Sequence, residues 1–365
     1  MRAMAWSPLG GASECHLARK SAVSVALGTI AALVLAACGG SSASTGSSSS
    51  TPSSVLDVQA AAIGPPPIFL SLYINVAQER GFFKKVGVNV TPRYFQRGTD
   101  VAANVISGGV LVAATATQAV EESIVGGAPI VAISGLNHQD FFVASGLSGV
   151  KSCADLKGKT IAADGVNNAR YLYLQSFLKT CGASLSQVSL LNIANQALVQ
   201  AAIAGQVTTA VYHIDELAQV ERQTGKTWNH MPTPPSLEST LHYAMLITQR
   251  SATSSQHEAL VRYLTAWILA ARWMQNPANV NAFAKIAASA TGEALPVTTQ
   301  AVKGFQAIKY WDLTNSGLTK SAVMSQLNQL AAIGALRPGK VPTYNQIVDL
   351  SLYSAAEKRA NSVSS

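Results

Sequence analysis

The opening of the folded chain sets its pattern. Leu56, Val58, Ala60 and Ala62 alternate with other positions, a period of two that predicts a strand, and Gly64 with Pro65, Pro66 and Pro67 cuts it short. Leu70, Tyr73, Ile74 and Ala77 then recur at helical spacing, with Gly81 placed to cap that helix. Val86, Val88 and Val90 alternate again and predict a second strand. The result is a strand–loop–helix–strand unit with a Gly/Pro-rich loop. In open α/β sheets such loops lie at the carboxyl ends of strands, where ligands bind.

The pattern recurs. Gly165 and Gly182 bracket a second loop and helix, 101 positions after Gly64 and Gly81, and Ser107–Ala113 is echoed by Ala204–Ala210. Two matching pairs in the same order predict two similar α/β lobes. Between them, Gly98-Thr99-Asp100 starts a helix with Thr99 as N-cap, and Val110–Ala114 is a strand with Thr115–Gln118 as the loop behind it. Pro129–Ser134 is the next strand, which Asn137 and His138 leave toward the second lobe, and Phe141–Ser145 is the first crossing strand. In the second lobe, strand Thr160–Ala163 feeds Asp164–Asn168 and a helix starting near Ala169. Strand Val207–Val211 feeds Tyr212–Asp215, with Asp215 capping a helix over Glu216–Thr224. Tyr243–Thr248 returns as an apolar strand. From Gln256 onward the chain is helical, including amphipathic Leu260–Met274, with Pro277, Pro296, Gly317 and Pro338 as punctuation.

Composition narrows the class. At 365 residues and 48% hydrophobic, the chain can bury one or two substantial cores. Its net charge of +8 is scattered, with no basic block of the kind a nucleic-acid arm needs, which argues against nucleic acid as a partner. Residues 1–37 read as a targeting segment: Arg2, Arg19 and Lys20 precede the uncharged Ser21–Ala36 run. Leu35-Ala36-Ala37-Cys38 resembles a bacterial lipobox, in which the Cys38 thiol takes the lipid. Residues 38–54 then form a Ser/Gly-rich tether, too poor in apolar side chains to bury a core. These features place the protein outside the cytoplasm, lipid-anchored to a bacterial membrane. Cys15 leaves with the leader, so Cys153 and Cys181 remain as an even pair flanking one strand and helix in an exported domain, where disulfides persist.

Residues 55–250 resemble the sulfonate/nitrate/taurine/thiamine-precursor group of ABC-type solute-binding proteins. The carrying segments are GPPPIFLSLYINVAQERGFF, ISGGVLVAATAT, GAPIVAISGLN, VKSCADLKGKTIA and AGQVTTAV. Leu111 and the neighbourhood of Thr208 depart from the group, which usually carries an acidic residue there. The resemblance implies an α/β, two-lobed type II periplasmic-binding-protein fold, with mixed sheets flanked by helices and a ligand cleft between the lobes. Lobe 1 is then residues 55–140 and 241–365, and lobe 2 residues 141–240. It further implies a monomer that captures a small-molecule ligand and delivers it to ABC permease and ATPase subunits, without a cofactor. The alternatives are a thiamine-pyrimidine-synthase-like enzyme on the same fold, whose cysteine-rich motif this chain lacks, and a sensor that presents ligand to a membrane receptor.

Topology nominates the site. Pro66 and Phe69, with Tyr73, stand after the first strand, and Thr115, Thr117 and Gln118 after the third. Asn137 and His138 stand at the crossing, Asn167, Asn168 and Arg170 at the second-lobe loop, and Tyr212, His213 and Asp215 at its echo. Helix N-termini and Arg170 favour an anionic end on the ligand, unless Arg170 is simply a solvated helix residue. Phe69, Tyr73, Phe141, Phe142, Tyr171 and Tyr212 favour a ring or aliphatic body. Asp164 and Asp215 argue against a purely anion-selective pocket. His213 beside Asp215 and Glu216 lacks the three or four ligands and the spacing of a metal site, and no nucleophile, zinc or phosphate-loop motif marks catalysis.

Overall fold

The computed structural model describes residues 54–364 apart from 65–68, 96, 138–140, 166–168, 194, 232, 234–242, 333–335 and 337–340. The leader, Cys38 and all of the tether but Ser54 lie outside them.

The alternating stretch that opens the domain is strand β1 (Leu56–Ile63), followed by helix α1 (Leu72–Glu79) and the short α2 (Phe82–Lys85). Strand β2 (Val88–Phe95) begins later than the valine alternation predicts, because Gly87 takes a left-handed turn (φ 70°) before the extended run. Helix α3 (Gly98–Ile106), strand β3 (Val112–Ala116), helix α4 (Thr117–Val125) and strand β4 (Ile130–Gly135) complete the first series. The second series is β5 (Phe142–Gly146), β6 (Thr160–Ala163), α5 (Ala169–Thr180), β7 (Ser189–Asn192), α6 (Asn195–Ile203), β8 (Thr209–His213), α7 (Ile214–Thr224) and β9 (Asn229–Met231). Strand β10 (Ala244–Gln249) returns, and the rest is helical. Its helices are α8 (Ala252–Ser255), α9 (His257–Gln275), α10 (Val280–Thr291), α11 (Leu295–Ala307), α12 (Lys320–Ala332), α13 (Tyr344–Ile347) and α14 (Ser351–Ser364).

Two five-stranded sheets result, ordered β2-β1-β3-β10-β4 and β7-β6-β8-β5-β9. In the first, β1 runs parallel to β2 and β3 while β10 is antiparallel to β3 and β4. In the second, β6 runs parallel to β7 and β8 while β5 is antiparallel to β8 and β9. The sequence repeat thus has a structural counterpart: β1 and β6 hold equivalent places, as do β3 and β8. One antiparallel strand from the other half of the chain is inserted next to β3 and β8.

Helices pack against the sheets, and the central strands β3, β8 and β10 are buried nearly throughout, whereas the edge strands β2 and β7 are partly exposed. The first core centres on α9, where Trp267 stacks on Tyr73 with ring centroids 3.9 Å apart and planes 6° from parallel. Trp311, Phe283 and Phe305 extend it toward the C-terminal helices. Close approaches need glycine. A Cβ on Gly98 would stand 2.9 Å from Thr115 Oγ1, so its absence lets α3 start directly over β3. Cys153 and Cys181 form a disulfide with Cα atoms 6.0 Å apart, fastening the turn before β6 to the end of α5.

Candidate functional site

A cavity of about 600 Å³ opens at the carboxyl ends of β1, β3, β6 and β8, with walls from both sheets. Phe69, Gly98 and Gln118 line it from the first series, Arg170, His213 and Asp215 from the second. A third wall comes from the turn between α10 and α11, through Thr291, Glu293 and Val297.

The second-series wall is organised by one buried cation. Arg170, 1% exposed, makes two parallel hydrogen bonds to Glu216, Nη1 to Oε2 at 2.6 Å and Nη2 to Oε1 at 2.7 Å. Nη1 also donates to the Val211 carbonyl at 3.0 Å, and Nη2 to Asn195 Oδ1 at 3.0 Å. Asp164 approaches Nε at 3.9 Å and accepts from the Tyr171 N–H at 2.9 Å. One guanidinium therefore ties together the junctions β6–α5, β7–α6 and β8–α7. Burial alone would depress its pKa, but Glu216 and Asp164 hold it above the usual value. Burial likewise opposes ionised Glu216, yet Arg170 brings it down to about 2.

Glu216 also caps its own helix. It accepts from the His213 N–H at 2.9 Å, the capping-box arrangement in which the third helical residue reaches back to the N-cap backbone. His213 is therefore the N-cap, where the sequence had nominated Asp215. Burial, reinforced by the charge of Arg170, pushes the His213 imidazole down to about 3. It stands neutral among Phe141, Phe142 and Tyr243, with ring centroids 4.4, 5.1 and 6.1 Å away. Asp215 is released to face the cavity. Burial, then the charges of Glu216 and Glu293, push its carboxyl up to about 7, and Oδ1 is cut off from solvent with no hydrogen-bond partner.

Of the residues nominated from sequence, Phe69, Gln118, Arg170, His213 and Asp215 meet on the cavity wall. Pro66, His138, Asn167 and Asn168 lie outside the described residues. Five others stand elsewhere. Tyr73 is stacked on Trp267 and donates its hydroxyl to the Leu136 carbonyl. Thr115 donates to the Gly98 carbonyl at 2.8 Å. Thr117 is fully buried at the start of α4, its N–H bonded to the Tyr243 carbonyl at 2.8 Å. Asn137 accepts from the Ala244 N–H at 3.3 Å. Tyr212 packs edge-on against Trp228, ring centroids 5.3 Å apart, because neighbouring strand residues face opposite ways and His213 takes the cavity side. Thr99 is not an N-cap either: α3 starts two residues earlier than that cap would place it, at Gly98, with Arg97 as the N-cap.

Several lining residues had no signal of their own in the sequence, chief among them Glu122, Glu293 and Val297. The last two reach the cavity because α11 lies against α7, where Gly304 admits Ile214: a Cβ there would stand 2.7 Å from Ile214 Cγ2. Gln300 donates to Glu221 at 3.1 Å along the same seam. Among the described residues, no group of three or more His, Cys, Asp or Glu is arranged to hold a metal ion.

Comparison with known proteins bears on this arrangement. Residues 69–280 match the family model described as NMT1/THI5 like, while no curated protein matches the chain at a significant level. The structure resembles the periplasmic nitrate-binding protein NrtA of Synechocystis PCC 6803, with a TM-score of 0.68 at 14% identity, covering 84% of this chain and 89% of that one. It resembles the ligand-binding component of an ABC-type import system from Staphylococcus aureus, solved with zinc bound, with a TM-score of 0.66 at 14% identity over 82% and 99% of the two chains. The alkanesulfonate-binding protein SsuA of Xanthomonas axonopodis pv. citri, bound to MOPS, gives a TM-score of 0.63 at 14% identity over 81% and 99%. At these identities the likeness carries the fold: the chain has the periplasmic-binding-protein fold that its sequence anticipates.

Proposed function

The chain belongs to the NMT1/THI5-like family, and we propose that it is the extracytoplasmic solute-binding component of an ABC importer. It captures a small organic solute between two lobes, residues 55–140 with 241–365 and residues 141–240, and delivers it to a permease. The observation that carries this reading is the cavity of about 600 Å³, walled from both sheets at the carboxyl ends of their strands. A ligand touching both walls favours the closed arrangement by its differential affinity, which is how occupancy is signalled to a partner.

The wall suits binding better than catalysis. Its one buried histidine is held neutral by burial and Arg170, and both cysteines among the described residues are joined in the disulfide. Among the described residues that line it there is no serine or cysteine. The reading includes a leader over residues 1–37, a lipid on Cys38 and a tether to residue 54, so the protein works as an anchored monomer outside the membrane. Thermal-shift screening of the purified protein against sulfonates, nitrate, pyrimidines, aromatic acids and amines tests it. At least one class should raise the melting temperature saturably, and a uniformly negative screen contradicts the reading.

A further inference from the structure

The chain has more basic than acidic side chains, 26 to 18, yet its cavity inverts that balance. Five carboxylates line it, Glu122, Asp164, Asp215, Glu216 and Glu293, against two guanidiniums, Arg97 and Arg170. Of these, the Arg170 guanidinium is buried and already paired. Arg170 spends its terminal nitrogens on Glu216, Val211 and Asn195, and Arg97, on the exposed rim, is held by Asp100 at 3.0 Å.

The remaining acids face the cavity without a cationic partner. Glu122 accepts only the neutral Gln118 amide, at 3.0 Å. Asp215 Oδ1 is buried and unpartnered. Glu293, from the α10–α11 turn, lies close enough for its charge to act on Asp215. The two carboxyl groups reach the cavity from separate elements, one at the start of α7 and one from the C-terminal hairpin. Beside them stands the uncharged ring of His213. Aromatic rings surround it. An anion placed here meets the carboxyl groups of Glu122 and Glu293 with no cation among the described residues paired to them, whereas a cation is attracted by both and favours ionised Asp215 beside them.

We infer that the cavity is built for a small organic cation, a protonated amine or amidine carried on a flat or apolar body, and that Asp215 and Glu293 receive its charged end. This rests on the solute-binding reading above and specifies the ligand charge within it. It also sets this chain apart from the nitrate and alkanesulfonate binders it resembles in fold.

Calorimetric titration of the full chain, purified in detergent, tests the inference with two matched pairs of probes: benzamidinium against benzoate, and benzylammonium against benzenesulfonate. At least one cation should bind saturably at one per chain and both anions should be inert. The D215N/E293Q double variant should weaken the cation by about tenfold or more, with its circular dichroism unchanged. Binding of the anions with the cations inert overturns the charge inference and leaves the solute-binding reading intact. So does cation binding that the double variant does not weaken. If none of the four binds up to millimolar concentration, the charge inference falls, and the broader screen decides the solute-binding reading separately.

Discussion

Arg170 and Glu216, 46 residues apart in sequence, meet in a two-pronged ion pair at 2.6 and 2.7 Å behind the cavity wall. The pair makes Arg170 a positioning residue. It holds three strand–helix junctions in register and hands Asp215 and His213 to the cavity. Removing one partner strands the other as a buried charge. Glu216→Gln should therefore destabilise the fold by about 3–5 kcal/mol, whereas Arg170→Met with Glu216→Leu should cost less than either single change. Chemical denaturation of Glu216→Gln, the double variant and its two single changes measures this, and equal stability of Glu216→Gln and wild type contradicts it.

The pH dependence of stability follows from two neighbours that titrate in opposite senses. Asp215, pushed up to about 7 by burial and by Glu216 and Glu293, keeps its proton in the folded chain over a range where the unfolded chain has lost it. Its contribution is full below the ordinary carboxylate pKa and is lost as pH rises through about 7. His213, pushed down to about 3, acts the other way: stability is present above the ordinary histidine pKa and lost as pH falls toward 3. The wild-type profile therefore partly cancels between them, and the difference between variants exposes each limb. Thermal melts of Asp215→Asn should gain on wild type steadily from pH 4 to pH 8. A constant difference across that range contradicts the assignment.

The Cys153–Cys181 bridge closes a loop of 28 residues. In the chain-entropy model, such a loop contributes about 3–4 kcal/mol through the unfolded state. Reduction, or Cys153→Ser with Cys181→Ser, should lower the denaturation midpoint accordingly without changing the ligand affinity, because the bridge lies away from the cavity wall. Free-thiol counting on the unfolded, unreduced protein should find neither of these two thiols reactive.

The third cavity wall depends on the α7–α11 seam. Gly304→Val places atoms where Ile214 Cγ2 already stands, so α11 must move off α7. The expected cost is about 1–3 kcal/mol, together with weaker ligand binding through displacement of Glu293 and Val297. Retained stability with unchanged binding would show that the seam does not position the wall.

Residue by residue, what the sequence disclosed and what it withheld follows a physical rule. Strands, junction loops and the repeat were legible because each is set by local periodicity and by glycine, as at Gly64 with Gly165 and Gly81 with Gly182. The disulfide was legible because two cysteines remained in an exported domain. Side-chain direction at the junctions was less so. Tyr212 and His213 were nominated together, yet successive strand residues diverge. Tyr73 was nominated for its ring, yet that ring is buried against Trp267, almost two hundred positions on. The partner of Arg170 and the reach of Glu293 depend on helix packing between distant segments, which no local pattern encodes. Asp164 and Asp215 nevertheless warned against a purely anionic ligand, and the cavity wall adds Glu122 and Glu293 to that warning.

The central claim is that a solute is held in the cavity shared by the two sheets. Gln118 lines that cavity from α4 and accepts no hydrogen bond that the fold needs, donating only to Glu122. The most direct measurement is calorimetric titration of any solute found by screening into wild type and into Gln118→Trp, which fills the cavity. One saturable site in wild type, weakened at least about tenfold in the variant while its melting temperature is retained, is the predicted result. Undiminished binding to Gln118→Trp would place the ligand elsewhere and contradict the account.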